Sequence, residues 1–351
     1  MPAEPWQLSQ ENGWGAPRLR DRCPDGDARE DGTPIAPGRY SRMKTILFHN
    51  PSAGGDGDAP SQEDLLAMLR RSGLEVSPQD NRTEDLSRVL AEPAELVLVA
   101  GGDGTVGRIA TAMAAAPCAA DRLLAVLPLG TANNLSRALG SWPGPRHFAE
   151  GWPEAARRSL NVAVAEAEGF PARRFVESVG FGAFARAVEH ADETGEQGVE
   201  AGRAVFRRIL SGALPGHARI IVDGVAETVE TLLVEVMNVA LFGPNLVLAP
   251  PADPGDGMLD VVTLHPDQRH AMLDWLRAPA CGEPPVTLRR GRNVVVEWAG
   301  APLRLDDTPQ EQGAPPALAF RMAEEALTVL VPPECLSAPQ GARATAETCK
   351  A

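Results

Sequence analysis

The run Leu96-Val-Leu-Val-Ala100 passes directly into Gly101-Gly102-Asp103-Gly104-Thr105, and this junction limits the possible folds more than any other stretch of the chain. An unbroken apolar run of this length reads as a buried strand, and the Ala-rich pattern of Val106 to Ala116 reads as a helix. Between them, glycine allows close backbone approach, and the free amides of a helix start complement phosphate charge. The segment therefore predicts a strand-loop-helix unit that binds phosphate. Two further junctions share this build: His49-Asn50-Pro51-Ser52-Ala53-Gly54-Gly55 after a strand at Thr45 to His49, and Pro128-Leu129-Gly130-Thr131-Ala132-Asn133-Asn134 after a strand at Leu123 to Pro128.

The surrounding pattern alternates in the same way. Helical spacing is found at 61–72 and at Glu84 to Leu90, a short strand at Leu74 to Ser77, and a helix opening at Asn133 to Leu139. Strands alternating with helices imply a parallel sheet covered on both faces, with ligands at the carboxyl ends of its strands. After about residue 162 strand-like runs dominate: Phe175 to Val179, Ala218 to Val222, Thr228 to Val239, Leu259 to Leu264, Val286 to Leu288, Asn293 to Trp298 and Leu303 to Leu305. Within this β-rich part, Glu189 to Leu210 carries a helical pattern. The expected organisation is an α/β nucleotide-binding domain over 43–162, completed by 318–332, and a β-rich domain over 163–317. Residues 1–42 and 333–351 are expected to be disordered tails, with Met43 a candidate initiator.

At 351 residues the chain has room for two such domains. Its formal net charge of −14 argues against a nucleic-acid partner, because phosphate backbones are met by clustered Lys and Arg. Local basic clusters remain, among them Arg70-Arg71, Arg157-Arg158, Arg173-Arg174, Arg203 to Arg208 and Arg289 to Arg292, and these are read as solvated surface or contacts to lipid headgroups. The five cysteines are scattered without a C-x-x-C pair, which fits a reducing cytosol. No apolar run of about 18 residues is present, so a lipid ligand would be met at a surface, with the protein cytoplasmic and peripherally membrane-associated. The sequence leaves a homodimer open.

Neither a P-loop ending in Gly-Lys-Ser/Thr nor G-x-G-x-x-G occurs, which removes the commonest nucleotide-binding readings. Asp103 stands inside the phosphate loop, where its charge repels phosphate unless a metal or a hydrogen-bond donor intervenes. Its plainer reading is a helix cap. Thr105 offers a hydroxyl at the mouth of the following helix.

Together the three glycine-containing segments, in this order and spacing, resemble the diacylglycerol kinase-like lipid kinases. Gly-Gly-Asp-Gly-Thr alone is shared with NAD kinases and, more loosely, phosphofructokinases, whereas Pro128 to Gly140 is much nearer the lipid-kinase pattern. Leu248-Ala-Pro-Pro-Ala-Asp253-Pro-Gly-Asp256-Gly-Met258-Leu-Asp260 is similar to a segment of the family's β-sandwich. The resemblance covers about 43–332 and implies an α/β domain of the NAD kinase and phosphofructokinase type, then a β-sandwich, with the active site between them. It implies ATP and Mg2+, with Asn50, Thr83, Gly101, Gly102, Asp103, Gly104, Thr105, Val106, Gly107, Gly130, Thr131 and Asn133 around the nucleotide. It also implies a second, structural metal at Asp256 with backbone groups of Asp253 and Met258. The reaction implied is transfer of the γ-phosphate to a lipid hydroxyl such as that of diacylglycerol, with acceptor contacts in Phe181 to Phe206.

Two motifs depart from the family. Val106-Gly107-Arg108 replaces an expected Asn-Glu pair, and Asp306-Asp307-Thr308 replaces Asp-Gly-Glu, whose Glu is the family's proposed proton acceptor. Thr308 is no base near neutral pH, so Asp307 and Asp103 become the candidate catalytic acids. The alternatives are an NAD kinase-like enzyme and a catalytically impaired nucleotide or lipid sensor.

Overall fold

The computed structural model describes residues 43–53, 60–80, 82, 85–116, 121–195, 198–279, 282–298, 302–310 and 315–336. The α/β part runs β1 (Met43–His49), α1 (Gln62–Arg71), β2 (Leu74–Asp80), α2 (Leu86–Leu90), β3 (Leu96–Gly101), α3 (Asp103–Ala114), β4 (Leu123–Pro128), α4 (Asn134–Leu139), α5 (Pro145–Gly151) and β5 (Ala156–Leu160). The sandwich part opens with β6 (Ala163–Ala167), β7 (Phe170–Phe175), β8 (Ser178–Gly182), α6 (Ala183–Thr194), α7 (Val199–Gly212), β9 (Gly216–Val222), β10 (Val225–Thr231) and β11 (Leu233–Met237). It continues through β12 (Leu241–Phe242), β13 (Leu246–Val247), β14 (Leu259–Thr263), α8 (Arg269–Trp275), β15 (Thr287–Gly291), β16 (Val294–Trp298), β17 (Leu303–Leu305), β18 (Thr308–Pro309) and β19 (Leu318–Met322). The last strand is β20 (Leu327–Val331).

Local rules account for the α/β elements. Ser61 caps α1 by accepting the N–H of Asp64 at 3.1 Å, Glu63 and Asp64 occupy its first turn, and Arg70 and Arg71 close its last turn. That arrangement complements the helix dipole and explains one of the basic pairs. Leu65 and Leu69, four residues apart, bury one face. β3 is buried at every position, as a central parallel strand must be.

The first sheet has the order β2-β1-β3-β4-β20-β5, with parallel pairing from β2 to β20 and an antiparallel edge at β5. β1, β3 and β4 are therefore neighbours running the same way, and the three glycine-containing junctions emerge side by side at their carboxyl ends. The other two six-stranded sheets, β10-β9-β16-β19-β6-β7 and β15-β14-β11-β8-β17-β18, sandwich a core that includes Phe175, Phe181, Ile220, Val261, Val296 and Phe320.

Several expectations are corrected. Thr228 to Val239 is not one strand: β10 belongs to one sheet and β11 to the other, with the crossing at Leu232. The helical pattern of Glu189 to Leu210 belongs to two helices, α6 and α7. The apolar run from Leu318 is likewise divided, since β19 pairs with β16 and β6 in the sandwich and only β20 joins the first sheet. Residues 333–336 form a helical turn in which Cys335 Sγ donates to the Gly140 carbonyl at 3.0 Å, so the ordered chain extends past 332. The expected tail over 1–42 lies outside the described residues, as does 337–351.

Candidate active site

The three loops are bound to one another as well as adjacent. Asn50 donates its backbone N–H to the Ala100 carbonyl at 2.9 Å and its side-chain amide to Thr105 Oγ1 at 3.0 Å. Leu129 donates to the Gly101 carbonyl at 3.0 Å. Asn133, in the left-handed region at φ 52°, closes its own loop: Oδ1 accepts the Gly130 N–H at 2.9 Å and Nδ2 donates to the Gly130 carbonyl at 2.6 Å. Gly102 and Gly130 meet backbone to backbone. A Cβ on Gly102 would lie 3.1 Å from Gly130 Cα, a tight contact, and one on Gly130 would overlap Gly102 Cα, so Gly130 admits no side chain without a shift of the backbone.

α3 begins immediately after this contact, and no side chain is hydrogen-bonded across its N-cap, Gly102. A helix start capped only by glycine, set between glycine loops at the ends of parallel strands, fits the phosphates of a nucleotide. Of the other predicted contacts, Gly104 and Thr131 are exposed at this surface. Val106 is a correction, because its side chain is buried in the core behind the helix. Gly107 is buried too, and a Cβ there would lie 3.4 Å from Asp306 Oδ2. Thr83, Gly54 and Gly55 lie outside the described residues. His49, at the end of β1, is buried, which holds its imidazole below its ordinary pKa.

Asp103 resolves the tension seen in the sequence. Its two carboxylate oxygens accept the backbone N–H groups of Asn134 at 2.9 Å and Leu135 at 3.2 Å, so its donors are the first amides of α4. It is a cap, but of the neighbouring helix. Burial, and secondarily the charge of Asp307, push its pKa up to about 6 against the opposing pull of those amides.

Across the cleft, the turn Asp306-Asp307 between β17 and β18 faces α3. A Cβ on Gly104 would lie 4.0 Å from Asp307 Oδ2. Asp306 accepts three amides, from Val176 at 3.2 Å, Glu177 at 2.8 Å and Ser178 at 3.2 Å, and its carboxyl pKa is pushed to about 6, chiefly by burial. Beneath it, Arg304 is buried, pairs with Glu235 at 2.7 Å, bonds Ser178 Oγ at 2.8 Å and the Asp306 carbonyl, and lies over the rings of Phe184 and Phe242. The turn is thus held rigidly from below. Thr308, exposed in β18, and Arg108, exposed on α3, supply no carboxylate here.

The expected second metal loop is organised differently. Asp253 Oδ1 accepts the Gly255 N–H at 2.9 Å, and Asp256 Oδ1 accepts the Met258 N–H at 2.8 Å. The remaining oxygen of Asp256 is paired with Arg290, whose Nε lies 3.5 Å from Asp260 Oδ2. A guanidinium therefore sits between the two carboxylates, in the position a cation would take, and the donor set does not fit a metal as it stands. Among the described residues no group of three His, Cys, Asp or Glu is placed to hold a metal ion.

Three residues of this region were not singled out from the sequence: Glu177, Glu235 and Arg304. Each had a signal, a charged residue inside an otherwise apolar strand run: Phe175-Val-Glu-Ser-Val179, Leu232-Leu-Val-Glu-Val-Met237 and Leu303-Arg-Leu305. A charge in a buried strand needs a partner, and that requirement marks it.

Comparison with known proteins agrees with this geometry. Residues 44–166 match the diacylglycerol kinase catalytic domain, and 177–331 match the YegS C-terminal NAD kinase beta sandwich-like domain. A diacylglycerol kinase of Mycobacterium tuberculosis is 24% identical over 252 residues, covering 67% of this chain and 77% of that protein. A crystal structure of a diacylglycerol kinase from Bacillus anthracis superposes with a TM-score of 0.62 at 20% identity, covering 84% of this chain and 98% of that one. An NAD kinase from Archaeoglobus fulgidus in complex with ATP gives 0.53 at 11% identity, over 87% and 99% of the two chains. The chain belongs to the diacylglycerol kinase-like lipid kinase family, with a parallel-sheet nucleotide-binding domain followed by a β-sandwich.

Proposed function

We propose that this kinase transfers the γ-phosphate of ATP to the hydroxyl group of a lipid alcohol of the diacylglycerol class. The observation that carries the reading is an apolar pocket of about 330 Å³ whose lining includes Phe184, Ala187, Val188, Val199 and Val205 of α6 and α7, together with Thr131 and Asp307. An acyl-chain-sized hydrophobic space is thereby joined to the phosphate loops by an acidic side chain. A second cavity, of about 360 Å³, is lined in part by Glu227, His265 and Arg289 of the sandwich and includes no residue of the glycine loops.

Phosphoryl transfer depends chiefly on positioning and charge neutralisation. The backbone of Gly101 to Gly104 and the start of α3 bind the phosphates, with Gly130, Thr131 and Asn133 shaping the adjacent wall. Mg2+ bound with the nucleotide would supply charge neutralisation at its phosphates. Asp103 positions the third loop through Asn134 and Leu135. Asp307, exposed at the pocket, accepts the proton of the attacking hydroxyl. Peripheral contact with a membrane is supported by Leu214, 89% exposed just beyond α7, a helix that also carries Arg207 and Arg208. No described helix is long and apolar enough to cross a membrane.

The test is incubation of purified protein with labelled ATP and Mg2+, in the presence of lipid alcohols in mixed micelles and, in a parallel sample, of NAD. Label in the lipid supports the reading. Label in NAD, with none in lipid, points to the NAD kinase chemistry with which the fold is also shared.

A further inference from the structure

Glu235, Gly180 and Arg304 form one row across a sheet of the sandwich, since the register of β8 sets Gly180 opposite Glu235 of β11 on one side and Arg304 of β17 on the other. Side chains alternate along a strand, so the row lies on the face opposite Val179, Phe181, Leu303 and Leu305, which fill the sandwich core. The central glycine makes room for the pair: a Cβ at 180 would lie 2.1 Å from Glu235 Oε1. Over it, Arg304 Nη2 donates to Glu235 Oε2 at 2.7 Å and to Ser178 Oγ at 2.8 Å, and Nη1 donates to the Asp306 carbonyl. The guanidinium carbon stands 5.0 Å from the centroid of Phe184 and 4.9 Å from that of Phe242. Phe184 is itself fixed, its ring 3.9 Å from that of Phe242 and 5.0 Å from that of Phe206, and it lines the apolar pocket together with Asp307. The far end of the contact is a strained backbone. Asp306 has φ 45° and opens the two-residue turn, between the paired Leu305 and Thr308, that presents Asp307. A left-handed residue other than glycine persists only where its surroundings hold it.

We propose that Arg304 is a positioning residue for phosphoryl transfer: its guanidinium, seated between Glu235 and the Phe184 wall of the acceptor pocket, fixes the Asp306-Asp307 turn and so sets where Asp307 meets the lipid hydroxyl. The inference rests on the phosphoryl-transfer reading above. In that reaction the acceptor oxygen bonds to the γ-phosphorus as the bond from that phosphorus to the bridging oxygen of ADP breaks, and the hydroxyl proton passes to Asp307 and then to solvent. Arg304 touches none of these atoms and acts through the turn. Compensating Glu235 requires only a positive charge. Holding Glu235, Ser178 and the Asp306 carbonyl at once requires donors spread over a planar fork, which a lysine ammonium lacks. That difference separates a residue that merely balances a buried charge from one that places the turn.

The test compares wild type with Arg304→Lys in the full chain, by steady-state transfer of phosphate from ATP to a lipid alcohol and by amide hydrogen exchange without substrate. In the variant kcat should fall about tenfold or more while KM for ATP stays at the wild-type value, because the glycine loops are untouched. The amides of Val176, Glu177 and Ser178, which donate to Asp306, should exchange about tenfold faster or more, with those of β3 unchanged. Wild-type kcat and wild-type exchange in the lysine variant overturn the proposal. So does a loss of kcat with KM for ATP and exchange in β3 altered alike, which is the mark of general destabilisation. Should the lysine variant fail to fold, Arg304→Gln combined with Glu235→Gln removes both buried charges together and is read by the same two measurements, with wild-type kcat again overturning the proposal. Wild-type protein that phosphorylates no lipid alcohol, while faster exchange in the variant is confined to 176–178, overturns the phosphoryl-transfer reading and leaves the arginine's hold on the turn intact.

Discussion

Asp103 Oδ2 accepts the Asn134 N–H at 2.9 Å, so the acid of the second glycine loop fastens the helix that follows the third. The motif's aspartate therefore acts on the shape of the phosphate site through a neighbour. Asp103→Asn turns one acceptor into an NH2 group facing amide donors. The expected cost is about 1–2 kcal/mol in urea unfolding, with phosphoryl transfer lost because the Gly130 to Asn134 wall moves. Wild-type stability together with wild-type activity would refute the capping role.

The pH dependence of stability has an unusual direction. Asp103, Asp306 and Asp260 are raised to about 6 and Glu235 to about 7, and Glu177 is also raised, with burial the largest cause in every case. Each folded pKa exceeds its unfolded value, so the folded state holds more protons, and stability falls as pH climbs from about 4 through 7. His49, lowered by burial, works in the opposite sense, as do the exposed Asp85 and Glu150 at the acid end of the range. The melting temperature should therefore be higher near pH 5 than at pH 8. A steady rise across that interval in a calorimetric series would contradict the account.

Arg290 lies against the acidic loop of the sandwich, paired with Asp256 and with its Nε 3.5 Å from Asp260 Oδ2. Asp260 is 2% exposed, so removing its nearest guanidinium leaves a buried carboxylate without compensation. Because Arg290 is itself partly exposed, Arg290→Ala is expected to cost about 1–2 kcal/mol, below the range for a fully buried pair. Chelation with EDTA should leave the wild-type melting temperature unchanged. A drop of several degrees on chelation would show a metal where the arginine is placed here.

The strand-loop-helix junctions were legible because glycine and unbroken apolar runs are local signals, and β1, β3 and β4 follow closely from them. The sheet switch at Leu232 was not, since one residue between two strands leaves no turn signature and both flanks carry strand residues. Nor could the pattern say that Val106 faces the core while Gly104 faces the cleft, since that depends on where α3 meets the sheet. Arg290 illustrates the general limit. It lies 34 residues from Asp256, and only the pairing of β14 with β15 brings it opposite Asp260.

The central claim is that the pocket between α6 and α7 holds the lipid whose hydroxyl is phosphorylated. Ala191 lines that pocket and belongs to none of the glycine loops. The most direct measurement compares wild type with Ala191→Trp for transfer of label from ATP to a lipid alcohol, with nucleotide affinity measured in parallel. The account predicts labelled lipid from the wild type, at least a tenfold loss in the variant and unchanged ATP binding. Equal transfer by both proteins would contradict it.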